Sequence, residues 1–365
     1  MIHEDRPDAL AGPANTRWPL GHRPGLDGLR GFAILLVLAD HSGIGIAAGA
    51  GQLGVTIFFV LSGFLITTLL LEEQARFGRV SFRRFYWRRA LRLLPALAAL
   101  LVVVALLLAV TGRSREIFGD VVPVLLYVMN WTTVAGHNPG LLSHTWSLSI
   151  EEQFYFVWPV VLVATLAISR GRLLWVAALL VGVTVTATVL RFLLWVGPAA
   201  YYRVYEGTDT RMDALAVGCL LAIAFVRRPV VVPPIAMAVM AAAILLTLRT
   251  TNVGSMATIG LSVTALAAAG LVAGAATGAG DRVLAWRPLA YLGVISYGLY
   301  LWHRPVMRAF TESGLGGVPW AVAVMFAVSI GLAFLSRRLI EDPFLRLKDR
   351  YFSSTSGTSA PAPDS

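Results

Sequence analysis

The sequence predicts an all-α membrane protein with about ten transmembrane helices and one re-entrant segment. Of its 365 residues, 57% are hydrophobic and only 14% are charged, whereas soluble domains carry about 25% charged residues. The mean hydropathy is +0.72. The charges cluster between apolar runs, and many of these runs are long enough to cross about 30 Å of hydrocarbon. A bilayer can accommodate so many apolar runs, but the core of a soluble domain cannot.

Ten apolar runs are predicted to span the membrane. Their approximate bounds are 31–50, 53–71, 93–111, 154–169, 173–196, 213–226, 230–248, 256–278, 288–309 and 319–336. One further apolar piece, 121–131, is too short to cross the hydrocarbon as a helix.

The arginines predict the orientation of these spans, because cytoplasmic loops are enriched in basic residues. Seven of them lie between the second and third predicted spans: Arg76, Arg79, Arg83, Arg84, Arg88, Arg89 and Arg92. If 121–131 crossed the membrane fully, Arg170 and Arg172 would lie outside. If it enters and returns, every later basic pair lies inside. We therefore expect a re-entrant segment buried in protein, both termini in the cytoplasm, and a multi-pass protein of the cell membrane.

Three regions are predicted along the chain. Residues 1–24 are polar, lack the apolar core of a signal peptide and form a cytoplasmic N-terminal segment. Residues 25–350 form the membrane domain, and the Ser-, Thr- and Pro-rich residues 351–365 form a disordered tail. The net charge of +10 does not indicate nucleic-acid binding, because the cations lie at the ends of apolar segments. Cys219 is the single cysteine, so the sequence predicts no disulfide and no metal site.

Arg30 and His41 are the first candidate functional residues. Eleven helical steps make about three turns, so the two side chains share one helix face, about 16 Å apart along the axis. Ionisable side chains within a span are costly and indicate function, and histidine is suited to general-base work on a hydroxyl. The alternative is a buried histidine that bonds to a neighbouring helix.

Arg88, Arg89 and Arg92 are candidate phosphate ligands. At spacings of three and four residues they share one helical face, and guanidinium groups bind phosphates in a fork. The phosphates of CoA would suit this surface. Anchoring of the same arginines to anionic lipid is the alternative.

Glu151 and Tyr155 form the next candidate pair, four residues apart near the start of the fourth predicted span. Ser149 and Glu152 fit a helix-capping box, which would explain Glu152 but not Glu151. We expect the carboxylate of Glu151 to orient His41 or to pair with an arginine.

Two later segments also carry polar residues. Asp209, Arg211 and Asp213 form either a structural ion pair or a site for sugar hydroxyls. His303 lies in a late predicted span, where it contributes either to substrate binding or to interhelical hydrogen bonds.

Ser62-Gly63, in the second predicted span, permits close helix packing, and Ser62 has no nearby base in the sequence that would make it a nucleophile.

Taken together, these segments resemble the acyltransferase-3 family of membrane O-acyltransferases. The matching pieces, in family order, are Asp27-Gly-Leu-Arg30 with His41, Phe58-Phe59-Val-Leu-Ser62-Gly63-Phe64, Arg88-Arg89-x-x-Arg92-x-x-Pro95, Trp146-Ser147-Leu-Ser149-x-Glu151-x-Gln153-Phe154-Tyr155, Thr208-Asp209-Thr210-Arg211 and Ser296-Tyr297-Gly298-Leu-Tyr300-Leu-Trp302-His303.

The resemblance implies acyl transfer from acyl-CoA, a co-substrate and not a resident cofactor, to a hydroxyl of an envelope glycan, a glycolipid or an antibiotic sugar. It implies that His41, Arg30 and Glu151 are catalytic and that Arg88, Arg89 and Arg92 face CoA. Asp209, Arg211, Tyr155 and His303 are then candidate substrate-binding residues. Such chemistry includes O-acetylation of cell-envelope polysaccharide.

The sequence departs from the family pattern in three respects. Thr56 replaces an acidic residue, and Asp40 precedes His41 where an apolar or aromatic residue is commoner. Some members carry an SGNH-hydrolase-like domain after the membrane part, whereas this chain ends soon after its last predicted span. We therefore expect the membrane domain or a partner protein to handle the acceptor. The alternative functions are a transporter or flippase of a lipid-linked sugar, and a non-catalytic membrane sensor. The lack of an internal repeat counts against a transporter.

Overall fold

A computed structural model describes residues 21–137, 140–250 and 252–353, and every regular element in these ranges is helical. The α-helices are α1 (Pro24–His41), α2 (Ala50–Phe77), α3 (Phe82–Val110), α4 (Arg115–Leu125), α5 (Met129–Val134), α6 (Trp146–Ile168), α7 (Leu173–Leu194), α8 (Tyr201–Glu206), α9 (Thr208–Arg227), α10 (Pro234–Thr250), α11 (Val253–Ser255), α12 (Leu261–Ala276), α13 (Asp281–Leu284), α14 (Arg287–Val294), α15 (Ser296–Glu312), α16 (Pro319–Ser336) and α17 (Asp342–Ser353). Two π-helical turns, Met256–Gly260 and Arg337–Glu341, join α11 to α12 and α16 to α17.

Six helical stretches of the described residues are long and apolar enough to cross a membrane. They are Gly45–Phe77, Phe82–Val110, Ser143–Ile168, Leu173–Leu194, Val253–Ala276 and Pro319–Leu347. The other four predicted spans overlap with α1, α9, α10 and the α14–α15 pair. Of these, α1, α9 and α15 carry charged residues within the helix, which lower their hydropathy.

The first predicted span, 31–50, has the wrong bounds. Helix α1 ends at His41, and α2 begins at Ala50. Gly43, at φ +81°, makes the turn between them, in a backbone conformation that other residues rarely adopt. The carbonyl of Ser42 there accepts a hydrogen bond from the Gly317 amide at 3.0 Å. His41 therefore lies at a helix end and not in the middle of a span.

The predicted span 288–309 is also divided. Helix α14 ends at Val294, and α15 begins at Ser296. The break places Gly293 against α1, where a Cβ on this glycine would lie 1.7 Å from the carbonyl oxygen of Asp27. Gly28 contacts the carbonyl of Leu284 equally closely. The backbones of α1 and the α13–α14 segment thus touch, as small residues allow in membrane helix packing.

The predicted re-entrant stretch, 121–131, is broken in the structure. Helix α4 ends at Leu125, Tyr127 has φ +53°, and α5 begins at Met129. The Gln153 side-chain amide donates to the Tyr127 carbonyl at 2.7 Å and to Asn130 Oδ1 at 3.0 Å. Protein groups therefore satisfy the broken backbone, as a membrane interior requires.

Helix α2 lies at the centre of the bundle and packs against α1, α9 and α12. Gly63 of α2 and Gly218 of α9 form its closest helix contact. A Cβ on Gly63 would lie 2.1 Å from the Leu215 carbonyl oxygen, and one on Gly218 would lie 2.1 Å from the Val60 carbonyl oxygen. The packing role predicted for Ser62-Gly63 is confirmed.

The ends of the chain lie mostly outside the described residues. The predicted cytoplasmic segment 1–24 is described only from residue 21 onward. The predicted tail begins at 351, whereas α17 continues to Ser353. Residues 354–365 are not among those described. The arginine-rich segment that starts at Phe82 is the first part of α3, and Ser81 Oγ accepts from the Arg84 amide at 3.4 Å at its start.

Candidate active site

A cavity of about 300 Å³ lies between α1, α2, α3, α6 and α15, and we call it the inner cavity. Residues of α2 at one face supply much of its apolar wall, among them Phe58, Leu65 and Leu69. The polar lining comes from five helices: Arg30, Ser62, Arg89, Arg92, Ser147, Glu151, Glu152, Tyr155, Ser296, Tyr297 and Tyr300. The motifs from the first half of the chain and from α15 therefore converge on one space.

Ser62 and Glu151 form a short polar contact within this cavity. Ser62 Oγ donates to Glu151 Oε1 at 2.6 Å. A hydroxyl bonded to a carboxylate is a strong, charge-assisted contact. Sequence reasoning missed this pairing, because 89 residues separate the two positions and the carboxylate comes from another helix.

Arg89 is paired with protein groups in the structure. Its Nη2 donates to Glu152 Oε1 at 2.6 Å, and its guanidinium lies over the Tyr155 ring, 3.3 Å from the ring centroid. Glu152 therefore pairs with an arginine, and the predicted capping box is wrong. Ser149 Oγ instead donates to the Thr145 carbonyl at 3.1 Å, because α6 begins earlier, at Trp146.

Arg30 and Arg92 both line the inner cavity, as predicted for groups that meet the donor. The Nε of Arg30 is buried and has no hydrogen-bond partner in the part of the chain that the structure describes. Arg88 does not line the inner cavity.

His41 does not line the inner cavity but belongs to a cluster of histidines. Its ring centroid is 5.2 Å from that of His303, and the His303 centroid is 5.2 Å from that of His144. His41 Nδ1 is 3.0 Å from the Val37 carbonyl oxygen. A carbonyl only accepts, so Nδ1 carries the proton and Nε2 keeps its lone pair. This tautomer is the one that a general base requires.

His303 is fully buried and directs Nδ1 to the Tyr300 carbonyl oxygen at 2.6 Å. The same reasoning leaves its Nε2 with a lone pair, and this atom has no hydrogen-bond partner among the described residues. Sequence reasoning identified His303 but not His144. His144 contributes the third imidazole of the cluster, also buried, from the short turn before α6, whereas His41 is half-buried.

Tyr300 lies between the inner cavity and the histidine cluster. Its ring lines the cavity, and its centroid is 5.4 Å from that of His303. Its hydroxyl donates to the His144 carbonyl. Since that hydroxyl has one proton, the Ser147 hydroxyl 2.5 Å away is the donor to Tyr300. Both members of this Tyr300–Ser147 pair line the inner cavity, and Tyr300 also contacts His303.

The structure places Glu151 apart from His41. Glu151 contacts Ser62 in the inner cavity, and His41 is not among the residues that line that cavity. The expectation that Glu151 orients the His41 ring is therefore not supported by the geometry. Asp40, which precedes His41, accepts from the Gly49 amide at 2.6 Å and so fixes the turn after α1.

Asp209 and Arg211 have different partners. Asp209 forms a two-pronged ion pair with Arg203, at 2.9 and 2.6 Å. Arg211 is fully buried and donates to Thr56 Oγ1 at 3.1 Å. Its Nε and Nη1 have no hydrogen-bond partner in the described ranges. The threonine that departs from the family pattern thus contacts Arg211.

The third member of this segment, Asp213, pairs with Arg191 at 2.8 Å, and both side chains are fully buried. Ser262 also donates to Asp213, at 2.9 Å. Asp213 therefore has the structural ion pair considered from the sequence, with Arg191 as its partner and not Arg211.

Comparison with known proteins identifies the family. The acyltransferase 3 model, described as an acyltransferase domain, matches residues 23–338. The chain belongs to the acyltransferase 3 family. No solved structure matched the chain.

Relatives of the chain are named as O-acetyltransferases. The chain is 33% identical to the peptidoglycan O-acetyltransferase OatA of Listeria monocytogenes and 36% identical to YrhL, a candidate peptidoglycan O-acetyltransferase of Bacillus subtilis. Each alignment covers 90% of this chain and 56% of the relative. The chain thus spans little more than half the length of these relatives. A candidate O-acetyltransferase of Staphylococcus aureus is 39% identical over 55% of this chain and 34% of its own length.

Proposed function

We propose that this protein moves an acyl group from acyl-CoA to a hydroxyl of a sugar-containing acceptor in the cell envelope. Family membership supports membrane O-acyl transfer, and the relatives named above support an envelope glycan as acceptor. The observation that carries the proposal is the inner cavity, which brings Arg30 and Arg92 together with Glu151 and Ser62 and ends at Tyr300, beside His303 and His41.

The donor enters this arrangement from the arginine end. The pantetheine arm of acyl-CoA follows the apolar wall of α2, and the thioester comes to rest near the Tyr300–Ser147 pair. Arg30, at the arginine end of the inner cavity, contacts the donor where its arm enters and so positions the thioester for attack. The Ser62–Glu151 pair holds the arm in the reactive position.

The acceptor binds at the histidine end. His41 Nε2 removes the proton from the acceptor hydroxyl, the hydroxyl oxygen attacks the thioester carbon, and the CoA thiolate leaves and takes up a proton. His303 supports the imidazole of His41 from the next helix. For the two substrates to meet, the Tyr300–Ser147 pair must open. Arg211 and Asp209 remain proposed substrate contacts outside this centre, and Tyr155 is a proposed contact within the inner cavity.

The proposed topology matches this chemistry. Ten spans, a re-entrant α4–α5 segment and two cytoplasmic termini in the cell membrane place Arg30 at the cytoplasmic side and His41 near the opposite side. The Gln153 contacts that satisfy the broken α4–α5 backbone support the re-entrant assignment. Acyl-CoA is cytoplasmic and the envelope glycan is not, so each substrate would approach from its own side.

The decisive experiment measures acyl transfer from labelled acyl-CoA to envelope glycan in vesicles that contain the purified protein. We expect His41→Ala to lower kcat by about 10²- to 10⁴-fold, the usual contribution of a general base. Arg30→Ala should lower kcat/KM for acyl-CoA by about 10²-fold, since the donor is no longer held with its thioester in the reactive position.

Arg172→Ala is the control, because Arg172 is an exposed arginine at the start of α7 and should retain wild-type transfer. Wild-type rates in folded His41→Ala protein would refute the assignment of the base. Transport of a lipid-linked sugar without release of CoA would refute the proposed acyltransferase activity.

A further inference from the structure

A second cavity, of about 780 Å³, adjoins the first, and we call it the arginine vestibule. It lies where the start of α1 and the first half of α3 meet the junction of α16 and α17. Five arginines and two aspartates line it, an excess of three positive charges: Arg30, Arg92, Arg337, Arg338, Arg346, Asp27 and Asp342. Three of these arginines follow the last predicted span and have no role in the site described above.

Arg30 and Arg92 line both cavities. They therefore mark the passage from the polar vestibule into the apolar inner cavity. A ligand with an anionic head and a long, thin, mostly uncharged arm could occupy both cavities at once, with the two arginines at its midpoint.

The vestibule arginines differ in how far protein carboxylates neutralise them. Arg337 pairs with Asp342 at 2.7 Å and with Glu341 at 3.4 Å. Arg338 is exposed and makes no hydrogen bond or ion pair with the residues that the structure describes. Arg346 is exposed, and its Nε reaches only the Asp342 carbonyl, at 3.4 Å. The guanidinium groups of Arg338 and Arg346 are thus available to bind an anion.

The backbone at this point also departs from a regular helix. Arg337–Glu341 is a π-turn between α16 and α17, and such turns are frequent at functional sites. Both the turn and α17 pack against α3. The turn therefore holds Arg338 and Arg346 beside Arg92 of α3.

We propose that the arginine vestibule binds the 3′-phosphorylated adenosine diphosphate of the acyl-CoA, with Arg338 and Arg346 as phosphate ligands. The proposal rests on the proposed function and names the donor site that this function needs. It also moves the nucleotide site away from Arg88 and Arg89. Arg89 pairs with Glu152, and neither residue lines the vestibule. Of the predicted phosphate ligands, Arg92 alone is retained.

Size and charge both suit this ligand. Small-molecule sites generally occupy about 300–1,000 Å³, and a nucleotide fits the larger cavity while the pantetheine arm fits the smaller one. Guanidinium groups bind phosphate oxygens in pairs with short, charge-assisted hydrogen bonds. The headgroup of an anionic lipid offers the same phosphate chemistry, so the experiment must separate the two sources.

The test compares acyl-CoA with acyl-pantetheine, a donor that lacks the nucleotide, in vesicles of phosphatidylcholine. In the Arg338→Gln/Arg346→Gln double variant, the ratio of kcat/KM for acyl-CoA to kcat/KM for acyl-pantetheine should fall at least about tenfold. Binding of CoA and of adenosine 3′,5′-bisphosphate, measured by calorimetry, should weaken by a similar factor. Arg282→Gln is the matched control, because Arg282 is exposed on α13 and lies outside the vestibule.

Each outcome decides one point. An unchanged donor ratio with unchanged CoA binding overturns the vestibule assignment, as does an equal loss with both donors, which would indicate a structural role. Two results together would assign the arginine vestibule to lipid. Phosphatidylglycerol vesicles would compete with adenosine 3′,5′-bisphosphate for the wild-type protein, and the double variant would bind CoA as tightly as the wild type. If the wild-type protein consumes no acyl-CoA, the proposed function fails, and calorimetry still tests whether the vestibule binds the bisphosphate.

Discussion

At the scale of single residues, the sequence pointed to individual side chains but not to their partners. The eleven-residue spacing of Arg30 and His41 predicted one shared helix face; Arg30 lines the inner cavity and His41 contacts His303. Their division between the inner cavity and the histidine cluster was not predictable, because the other residues of both groups come from other helices. The Ser62–Glu151 contact was likewise hidden by sequence distance.

Ser62→Ala tests whether the hydroxyl beside Glu151 contributes to transfer. A hydrogen bond to a charged group is worth about 1.5–3 kcal/mol, so its loss should lower kcat/KM for acyl-CoA by about 10- to 100-fold. Steady-state kinetics in vesicles would measure the change.

Thr68→Ala provides the comparison for Ser62→Ala. Thr68 is a buried hydroxyl residue on the same helix, its Oγ1 donates to the Phe64 carbonyl, and it does not line the inner cavity. Transfer should stay near the wild-type rate. Equal losses in both variants would mean that the effect of Ser62 comes from helix packing.

At the scale of secondary-structure elements, glycines determine how closely the helices approach. The contact of α2 with α9 depends on Gly63 and Gly218, each of which meets the backbone of the other helix. The sequence indicated a small-residue surface at Ser62-Gly63 but not which helix would pack there. Boundaries were less predictable, because the turn at Ser42-Gly43 lies inside an apolar run that hydropathy alone joins into one span.

Gly63→Ala should destabilise the folded protein although it adds a single methyl group. The new Cβ would meet the Leu215 carbonyl at 2.1 Å, and overpacking of this kind costs about 1–3 kcal/mol. Thermal unfolding in detergent should show a lower Tm for this variant than for the wild type.

Gly182→Ala is the matched control for this substitution. Gly182 lies within α7, and a Cβ there meets nothing within 4 Å. Alanine favours helix over glycine by about 1 kcal/mol, so the Tm should stay the same or rise. A similar fall in both variants would show that the α2–α9 contact tolerates separation.

At the scale of the whole molecule, the helical class and the membrane location followed from composition and hydropathy. The number of spans did not, because α1, α9 and α15 place buried polar groups where a hydropathy window requires apolar ones. Arg211, Asp213 and His303, each fully buried, are examples. Of these residues, His303 lies in the histidine cluster, whereas Asp213 belongs to the buried ion pair with Arg191.

Cysteine labelling of intact cells tests the proposed topology. In a Cys219→Ala background, Ser169→Cys should resist a membrane-impermeant maleimide until the membrane is opened, because a re-entrant α4–α5 leaves the α6–α7 turn in the cytoplasm. Ser313→Cys, in the exposed turn after α15, should react from outside.

Ala75→Cys marks the cytoplasmic side in the same experiment, because it lies in the exposed last turns of α2, beside the arginine-rich start of α3. Reaction of Ser169→Cys from outside while Ala75→Cys stays protected would show that α4–α5 crosses fully. The positive-inside argument would then fail for the later half of the chain.

The hydrogen-bonded hydroxyls of Tyr300 and Ser147 bear on where CoA stays during the proposed transfer. If the proposed reaction holds, the thioester and the imidazole of His41 would lie on opposite sides of this pair, and its opening for one ester group at a time would suffice for transfer to an acceptor outside the cell. The spent carrier would stay in the compartment that recharges it. A cell with such a protein could acylate its envelope without exporting CoA.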